Sequence, residues 1–365
     1  MPYAVAKGGW LSLAALVITA VICVYTALLL VHCMQSNSLI KTYPDIGQLA
    51  FGNRGRILIA LLINAELYFI VVGMLIIEGD NIDTLFPNVE FYIANLKIRG
   101  KQAFIFLTTL LVLPTTWARS LSFISYLSAG FTLIPFMILA IIVWVGASDD
   151  IGFHENRQVI NWNGFPTSLG IFIFSYACHS VIPIVYSSMN DTSKYSMVLI
   201  TAFGVSTILN VSLGVIGYMM FGVGTKSMVT LNLPSNYFNS KIVIWIVIVF
   251  PLVKYALLLM PVINALEEKL TITGRFKSIL LRTTLVISTA IIAMAVPFFE
   301  YIITLTGSLL SCVAAIIVPC ICYLKIFKSA RAGMEVLVIT CIIVFGVVIA
   351  ITGTFVSTKS IIQDH

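Results

Sequence analysis

Long runs of apolar residues, one after another along the chain, are the feature that most constrains its fold. A helix that crosses a membrane needs about 20 apolar residues, and runs of that length recur throughout the sequence. Backbone groups in lipid must be hydrogen-bonded within the segment or within a closed barrel. Because the runs are continuous and do not alternate apolar with polar residues, they predict helices. The expected fold class is therefore an all-α polytopic membrane protein.

The apolar runs predict ten transmembrane helices within a single transmembrane domain that covers residues 1–365. The third run is short, and it contains Pro114 near its end. The predicted helices are 9–31, 57–77, 102–117, 121–146, 165–186, 197–222, 242–265, 279–299, 301–324 and 336–356.

The composition excludes a chain that is water-soluble throughout. Hydrophobic residues make up 59% and charged residues only 10%, whereas a soluble domain carries about 25% charged residues. The net charge of +6 would suggest nucleic acid in a soluble protein, but membrane proteins carry basic cytosolic loops. If the loop after the first helix is cytosolic, 12 of the 21 Lys and Arg residues face the cytosol. The expected partner is the lipid bilayer, with no nucleic acid, and the oligomeric state stays open.

Three ionisable residues lie inside predicted helices, where a charge is costly unless it faces a cavity or a partner. They are Glu66 in the second run, His179 in the fifth and Lys254 in the seventh. Glu66 and Lys254 have two interpretations: a structural ion pair or separately satisfied groups, or groups that change protonation with a coupling ion. All three residues are therefore candidates for ion coupling.

A polar stretch interrupts the fifth run and is followed by Pro183. Proline removes a backbone donor and clashes with the preceding turn. In one interpretation His179 is a neutral core histidine bonded to a backbone carbonyl. In the other, the helix is discontinuous, as at the central site of many secondary transporters. The second interpretation makes the candidate substrate-binding residues Ser175, Tyr176, Ala177, Cys178, His179 and Ser180.

The sequence contains no motif of a nucleotide-driven pump or a metalloprotease. A phosphate-binding loop, a dinucleotide fingerprint and a His-Glu-x-x-His pattern are all missing. Gly204-Val205-Ser206 could be combined with His179 as a serine hydrolase, but so short a match is expected by chance. We therefore expect no cofactor, no metal site and no enzymatic activity, and an intramembrane hydrolase is the least favoured hypothesis.

Several motifs occur in the order found in one known family. They are Pro2-Tyr3-Ala4 with Gly8-Gly9-Trp10, Lys41 to Gly47, Glu78-Gly79-Asp80-Asn81, His179 to Pro183 with Ser187-Ser188-Met189, and Val318-Pro319-Cys320. Over essentially its whole length the chain resembles the amino acid/auxin permeases. Within them it is similar to the plant vacuolar-type amino-acid transporters, which are relatives of the vesicular inhibitory amino-acid transporters.

The resemblance implies an eleven-helix protein with a LeuT-like inverted-repeat (APC-type) helical bundle. It implies secondary active transport of amino acids by alternating access, as symport or antiport with protons, so that a proton gradient replaces any cofactor. The expected location is the vacuolar membrane, with the plasma membrane or another endomembrane as the alternative. The amino acids carried, the direction of transport and the choice of proton or sodium stay open.

Two departures from the family pattern affect this expectation. The family has a helix before the first run, with a Gly-rich unwound segment just upstream of Pro2-Tyr3-Ala4, so most of that helix is expected to be missing here. The family also has a glycine before the histidine, where this chain has Cys178, and Gly tolerates irregular backbone more readily than Cys does. The alternative function is therefore a non-transporting truncated isoform or an incomplete gene model of such a transporter.

Overall fold

A computed structural model provides the fold of the chain. It describes residues 1–37, 39–87, 89, 91–93, 96–98, 100–117, 131–148, 152–154, 158–234, 238–296, 298–327 and 333–363.

Helices dominate the described part of the chain. In chain order they are α1 (Pro2–Gly8), α2 (Ser12–Gln35), α3 (Tyr43–Leu85), α4 (Gly100–Trp117), α5 (Ile134–Ser148), α6 (Phe165–Ser175), α7 (Ile182–Ser188), α8 (Tyr195–Phe221), α9 (Phe238–Lys269), α10 (Arg275–Ala295), α11 (Phe299–Leu305), α12 (Val318–Ile326) and α13 (Gly333–Gln363).

Among the described residues, seven helices are long and apolar enough to cross a membrane. This confirms the polytopic membrane class that the apolar runs predict. The total of ten helices and the LeuT-like arrangement stay predictions. The seven spans are Ser12–Gln35, Tyr43–Leu85, Thr192–Gly224, Phe238–Lys269, Arg275–Ala295, Phe299–Ile326 and Gly333–Gln363.

The first predicted helix, 9–31, is wrong at its start. A short helix α1 ends at Gly8, and Gly9 then adopts a φ of +79°, a conformation that favours glycine. The spanning helix α2 begins three residues later, and the Ser12 hydroxyl donates to the Gly9 carbonyl at 2.7 Å. Hydropathy could not locate this corner, because the apolar character continues across it.

The second predicted helix, 57–77, is too short at both ends. Helix α3 begins at Tyr43, and its helical backbone continues to Leu85 apart from Gly52, which has a φ of +71°. At the start, one Asp45 carboxylate oxygen accepts the backbone N–H of Thr42 at 2.9 Å. Such caps satisfy donors that a helix start leaves unpaired. The helix therefore includes polar turns on either side of the apolar run.

The fourth predicted helix, 121–146, is only partly visible. Residues 121–130 lie outside the described part of the chain, and α5 occupies Ile134–Ser148. An antiparallel pair of three-residue strands, β1 (Phe91–Ile93) and β2 (Leu96–Ile98), lies between α3 and α4 with Phe91 opposite Ile98. This hairpin lies in the connection between two apolar runs, and its strands of three residues are too short for an alternating pattern to predict them.

The remaining predicted boundaries differ by a few residues, as expected of boundaries read from hydropathy. The eighth helix ends at Ala295 and not at 299, because Val296 precedes Pro297 in the sequence and has extended backbone. The observed bounds, each followed by the predicted ones in parentheses, are Gly100–Trp117 (102–117), Tyr195–Phe221 (197–222), Phe238–Lys269 (242–265), Arg275–Ala295 (279–299), Phe299–Ile326 (301–324) and Gly333–Gln363 (336–356).

The ninth predicted helix contains wide turns. Two π-helical stretches, Thr306–Ser311 and Val313–Ile317, connect α11 to α12. A π-turn bonds each carbonyl five residues ahead and often marks a functional position. Here the Ala314 carbonyl also accepts a bond from the buried Tyr43 hydroxyl at 2.6 Å. A side chain of α3 therefore helps to satisfy the backbone of this wide segment.

The chain forms two compact units, each assembled from separated segments. The first unit comprises Met1–Glu66, Asn156–Val215 and Ile303–His365. Its core includes Leu16 and Leu30 of α2 and Phe172 of α6. The second unit comprises Leu67–Glu155 and Ile216–Ile302. The core of that unit is built from apolar side chains of α3, α4, α9 and α10, including Val71, Ile76, Ile105, Leu259 and Val286.

Candidate functional site

The fifth predicted helix, 165–186, is two helices and not one. Helix α6 ends at Ser175, α7 begins at Ile182, and the residues between them are not helical. Pro183 lies in the first turn of α7, where the missing N–H of proline costs nothing. The proline therefore marks the start of the second half-helix. The discontinuity lies where the polar stretch predicts it.

Residues 176–181, which we name the α6–α7 break, have partly unpaired backbone. The Cys178 N–H donates to the Tyr176 carbonyl at 2.9 Å, and the Val181 N–H donates to the Cys178 carbonyl at 3.1 Å. Among the described residues, the N–H groups of His179 and Ser180 donate to no backbone carbonyl. At membrane depth such groups persist only where they meet protein or a cavity. They are therefore available to an acceptor on a ligand.

Three of the six predicted substrate-binding side chains have structural partners, and two of these, Ser175 and Tyr176, lie at the end of α6. The Ser175 hydroxyl donates back to the Phe172 carbonyl at 2.7 Å. The Tyr176 hydroxyl donates to Thr207 of α8 at 3.0 Å, and its ring stacks on Phe203 with centroids 5.8 Å apart. These contacts fix the end of α6. The side chains of Ala177, Cys178 and Ser180 are only partly buried.

His179 is 2% exposed, and its ring faces α2. Its Nε2 atom lies 3.0 Å from the Thr26 hydroxyl oxygen, which is itself 3.1 Å from the carbonyls of Ile22 and Cys23. When Thr26 donates its single proton to a carbonyl, Nε2 must donate to Thr26, and Nδ1 becomes an acceptor. Nδ1 has no hydrogen-bond partner among the described residues. The histidine is thus anchored on one side and leaves one nitrogen for another group.

Glu66 lies in the first unit and is 4% exposed. The Ser311 hydroxyl donates to its Oε1 atom at 2.6 Å, and Ser311 ends the first π-helical stretch. The structure thus places one predicted coupling residue in the same unit as the α6–α7 break and beside the wide turns.

Lys254 lies on α9 in the second unit. Its ammonium nitrogen lies 4.4 Å from the centroid of the Phe250 ring, one turn earlier on the same helix. This cation–π contact stabilises the charge partly. Within the described residues of its own unit, no carboxylate forms an ion pair with Lys254. The ion pair between Glu66 and Lys254 stays a hypothesis, because the two residues belong to different units.

Helix α1 supports the start of α6 in the first unit. The Ser168 hydroxyl donates to the Ala4 carbonyl at 2.7 Å, and the Asn161 N–H donates to the Gly8 carbonyl at 3.1 Å. A methyl group at Gly8 would lie 2.7 Å from the Ser168 oxygen, so the two helices need glycine there. The Pro2-Tyr3-Ala4 segment is therefore part of the scaffold of the broken helix.

Sequence reasoning missed one buried carboxylate, Glu78. The apolar run was ended at Ile77, but α3 continues to Leu85, and Glu78 is 1% exposed. Asn81, one turn later, is also fully buried. One sequence signal indicates that the helix continues past Ile77. Ile82 is an apolar residue beyond the polar residues 78–81, and it continues the helical spacing of apolar positions. Both residues lie in the second unit.

The chain is an integral membrane protein of the polytopic helical class, because it has long apolar helices, one discontinuous helix and buried polar groups beside the break. In many secondary transporters such broken helices form the substrate site. Comparison with known proteins then gives the family. Residues 1–359 match the model of the family described as "Transmembrane amino acid transporter protein". The chain belongs to this family, whose members are transporters and not enzymes.

Individual relatives agree with this family membership. The chain is 44% identical over 359 residues to Amino acid transporter AVT1D of Arabidopsis thaliana, covering 97% of this chain and 65% of that protein. It is 40% identical over 366 residues to Amino acid transporter AVT1I of the same plant, covering 99% of this chain and 90% of that protein. It is 24% identical to the Vesicular GABA transporter of Caenorhabditis elegans, over all of this chain and 76% of that protein.

Proposed function

We propose that this chain moves amino acids across a membrane by alternating access, driven by a proton gradient. The observation that carries the proposal is the α6–α7 break, with its unpaired N–H groups, in a chain that matches an amino acid transporter family over residues 1–359. Half-helix ends and irregular backbone at such breaks bind charged groups of substrates in secondary transporters. The family match supports the cargo, and the break supports the place where it binds.

Neutral amino acids of small size are the proposed substrates. The bare N–H groups of His179 and Ser180 can donate to a substrate carboxylate. Nδ1 of His179, in the tautomer that donates through Nε2 to Thr26, can accept from a substrate ammonium group. Neither residue brings a permanent charge to the break, and a neutral amino acid needs only these two complementary contacts.

The vacuolar membrane is the proposed location. The similarity to plant vacuolar-type transporters supports it, and the long apolar helices support insertion in a membrane. A fluorescent fusion in plant protoplasts checks this: it should outline the vacuole and coincide with a vacuolar membrane marker. A signal at the plasma membrane would replace the vacuole by the alternative location.

Counterflow in proteoliposomes tests transport itself. Vesicles containing the purified chain and loaded with unlabelled alanine should take up labelled alanine transiently, and excess glycine or serine should compete. Equal pH on both sides removes the proton gradient, so the gradient of unlabelled alanine alone drives the exchange. No counterflow by folded protein would reject transport by this chain, and counterflow by a longer relative under the same conditions would then favour the non-transporting alternative.

A proton gradient and a sodium gradient, applied in separate experiments, test which ion is coupled to transport. With an acidic exterior and no sodium, uptake should exceed the equilibrium level. A sodium gradient at equal pH should have no such effect. The reverse pattern would retain amino acid transport and reject proton coupling.

A further inference from the structure

Glu78 is a buried carboxylate that receives no hydrogen bond from the described residues. Both of its carboxylate oxygens are inaccessible, and neither has a partner among the described residues. Apolar side chains precede it on α3, with Leu75 and Ile76 fully buried in the core of the second unit. A carboxylate in such surroundings loses its hydration and gains nothing in exchange. The ionised form is therefore strongly disfavoured in this conformation.

Asn81 adds a further unpartnered acceptor one turn along α3. Its side-chain nitrogen donates to the Ile77 carbonyl at 2.8 Å, and because that carbonyl can only accept, the amide orientation follows. Its oxygen, Oδ1, then has no partner among the described residues. Residues three apart on a helix are neighbours on one face. The Glu78 site, which we define as Glu78 and Asn81, thus contains three acceptor oxygens that receive no hydrogen bond from the described residues.

The charged groups on neighbouring elements do not neutralise Glu78. Helix α4 packs against this turn, since a methyl group at Gly79 would lie 2.6 Å from Ile105. The cation on that helix, Lys101, pairs with Asp80 at 2.6 Å, and Asp80 points away from Glu78 because residues two apart do not share a face. Among the described residues, Lys226, Lys241 and Lys254 form no ion pair with Glu78. Asp83 and Glu300 are acids and cannot neutralise it.

The arrangement requires a positive species that fits between acceptors. A metal ion takes several ligands, and no group of three or more His, Cys, Asp and Glu residues that could hold one exists among the described residues. A proton needs one acceptor oxygen, and the hydroxyl it forms needs a second. Glu78 supplies the first, and Asn81, three residues later on the same face of α3, carries an unpartnered oxygen that can supply the second. The geometry therefore fits a proton better than a metal ion.

We infer that Glu78 binds the transported proton, with Asn81 as the acceptor that stabilises its protonated form. This rests on the proposed function, because it assigns a residue to the coupling step of that cycle. On loading, an O–H bond of a hydronium ion breaks, an O–H bond forms at a Glu78 carboxylate oxygen, and the hydronium ion becomes water. On release, the same bond breaks, and water receives the proton while Glu78 becomes a carboxylate in a hydrated conformation.

The position of the site suggests the side from which the proton arrives. Glu78 lies close to the end of α3 at Leu85. In the orientation predicted from the basic loops, this end of the helix faces the non-cytosolic side. In a vacuolar membrane that side is the lumen, so the proton would load there and leave to the cytosol.

Transport measurements on Glu78→Gln test the assignment, because glutamine keeps the shape and a neutral charge but cannot exchange a proton. A gradient of about one pH unit drives at most about tenfold accumulation when one proton accompanies each substrate. We expect wild-type protein to approach that value and Glu78→Gln to show no accumulation while retaining counterflow at equal pH. The control Asp191→Asn, at an exposed position, should accumulate substrate like the wild type.

Infrared difference spectroscopy tests the proton site independently of transport. Wild-type protein at neutral pH should show the carbonyl stretch of a protonated carboxylic acid that Glu78→Gln lacks. Glu78→Asp retains a carboxylic acid and should shift that band, which preserves the test even if the glutamine variant folds poorly.

The outcomes separate the two proposals. The proton site is overturned if Glu78→Gln accumulates substrate at the wild-type level, or if no infrared band of a protonated acid can be assigned to Glu78. In either case counterflow would still support amino acid transport. No counterflow by any variant rejects the proposed function, and the infrared band alone then decides whether Glu78 holds a proton. Accumulation driven by sodium and lost in Glu78→Gln would replace the proton by a sodium ion.

Discussion

Two buried glutamates on the same helix have opposite surroundings. Glu66, in the first unit, accepts a hydrogen bond from Ser311 at 2.6 Å. Glu78, in the second unit, has no donor among the described residues and lies beside a second unpartnered acceptor in Asn81. Both are nearly inaccessible. Burial is therefore common to the two sites, and the partner is what differs.

This comparison shows how a membrane protein tolerates a carboxyl group at depth. A buried group that has a hydrogen-bond partner contributes to a defined structure, whereas an unpartnered one is costly and is retained where function needs it. Glu66 with Ser311 and Arg282 with Glu267 represent the first case. Glu78 and the Nδ1 atom of His179 represent the second. Substitutions that remove a partner from Glu66 or Arg282, and substitutions of His179 and Glu78 themselves, test this difference.

The largest loss of stability is expected for Glu267→Ala. The Glu267 carboxylate binds Arg282 at 2.9 Å and Ser278 at 2.6 Å, and Arg282 also donates to the Thr116 carbonyl at 2.8 Å. Removing the carboxylate breaks the ion pair of a buried guanidinium, which costs about 3–5 kcal/mol. Unfolding by denaturant in lipid bicelles measures the change.

The exposed pair of Lys194 and Asp191 provides the control for this experiment. Lys194→Ala should leave stability unchanged within error, because exposed ion pairs contribute little. Equal effects of the two substitutions would show that the Glu267 network does not stabilise the second unit.

Ser311→Ala should convert Glu66 into a site like Glu78. The substitution removes the donor from a buried acceptor, with an expected loss of about 1–3 kcal/mol in the free energy of unfolding. Ser188→Ala is the matched control, because that exposed hydroxyl only bonds to its own helix at Val185. If Ser311→Ala is as harmless as the control, the bond between Ser311 and Glu66 does not stabilise the fold.

His179→Ala should lower the initial rate of counterflow by about tenfold, which corresponds to ~1.4 kcal/mol of lost interaction. It removes both the bond to Thr26 and the acceptor at Nδ1. His179→Gln retains a donor and an acceptor and should recover part of the rate. Thr201→Ala, at an exposed position on α8, serves as the control. A wild-type rate for His179→Ala would remove this residue from the proposed substrate site.

Glu78→Met is expected to act in the opposite direction to Ser311→Ala. Replacing an unpartnered buried polar group by an apolar side chain of similar size is neutral or stabilising, here by about 1 kcal/mol. The free energy of unfolding at neutral pH measures it, alongside a loss of pH-driven accumulation. A clear loss of stability would reveal a partner for Glu78 that the comparison with Glu66 does not include.

Sequence reasoning predicts much of the helical framework and part of the candidate site. The apolar runs locate the long helices, because a segment that must satisfy its own backbone in lipid is recognisable from local composition. The α6–α7 break is also local, since the polar stretch and Pro183 act on their own turn. The corner at Gly9 and the extension of α3 to Leu85 were missed, because an apolar or polar pattern does not report the φ of one residue or the cap of one helix.

The sequence by itself determined that the chain is a polytopic helical membrane protein, where its long helices lie and where one of them breaks. It also carried the motifs of the amino acid transporter family. Only the tertiary structure decided which buried polar groups have partners. Ser311 and Glu66 are separated by 245 positions, and Thr26 and His179 by 153, so no local pattern could pair them. Glu78 and Asn81 are neighbours in sequence, yet their lack of donors depends on the elements packed around them. Local chemistry thus selects helices, and the partners available after folding decide what each buried group can do.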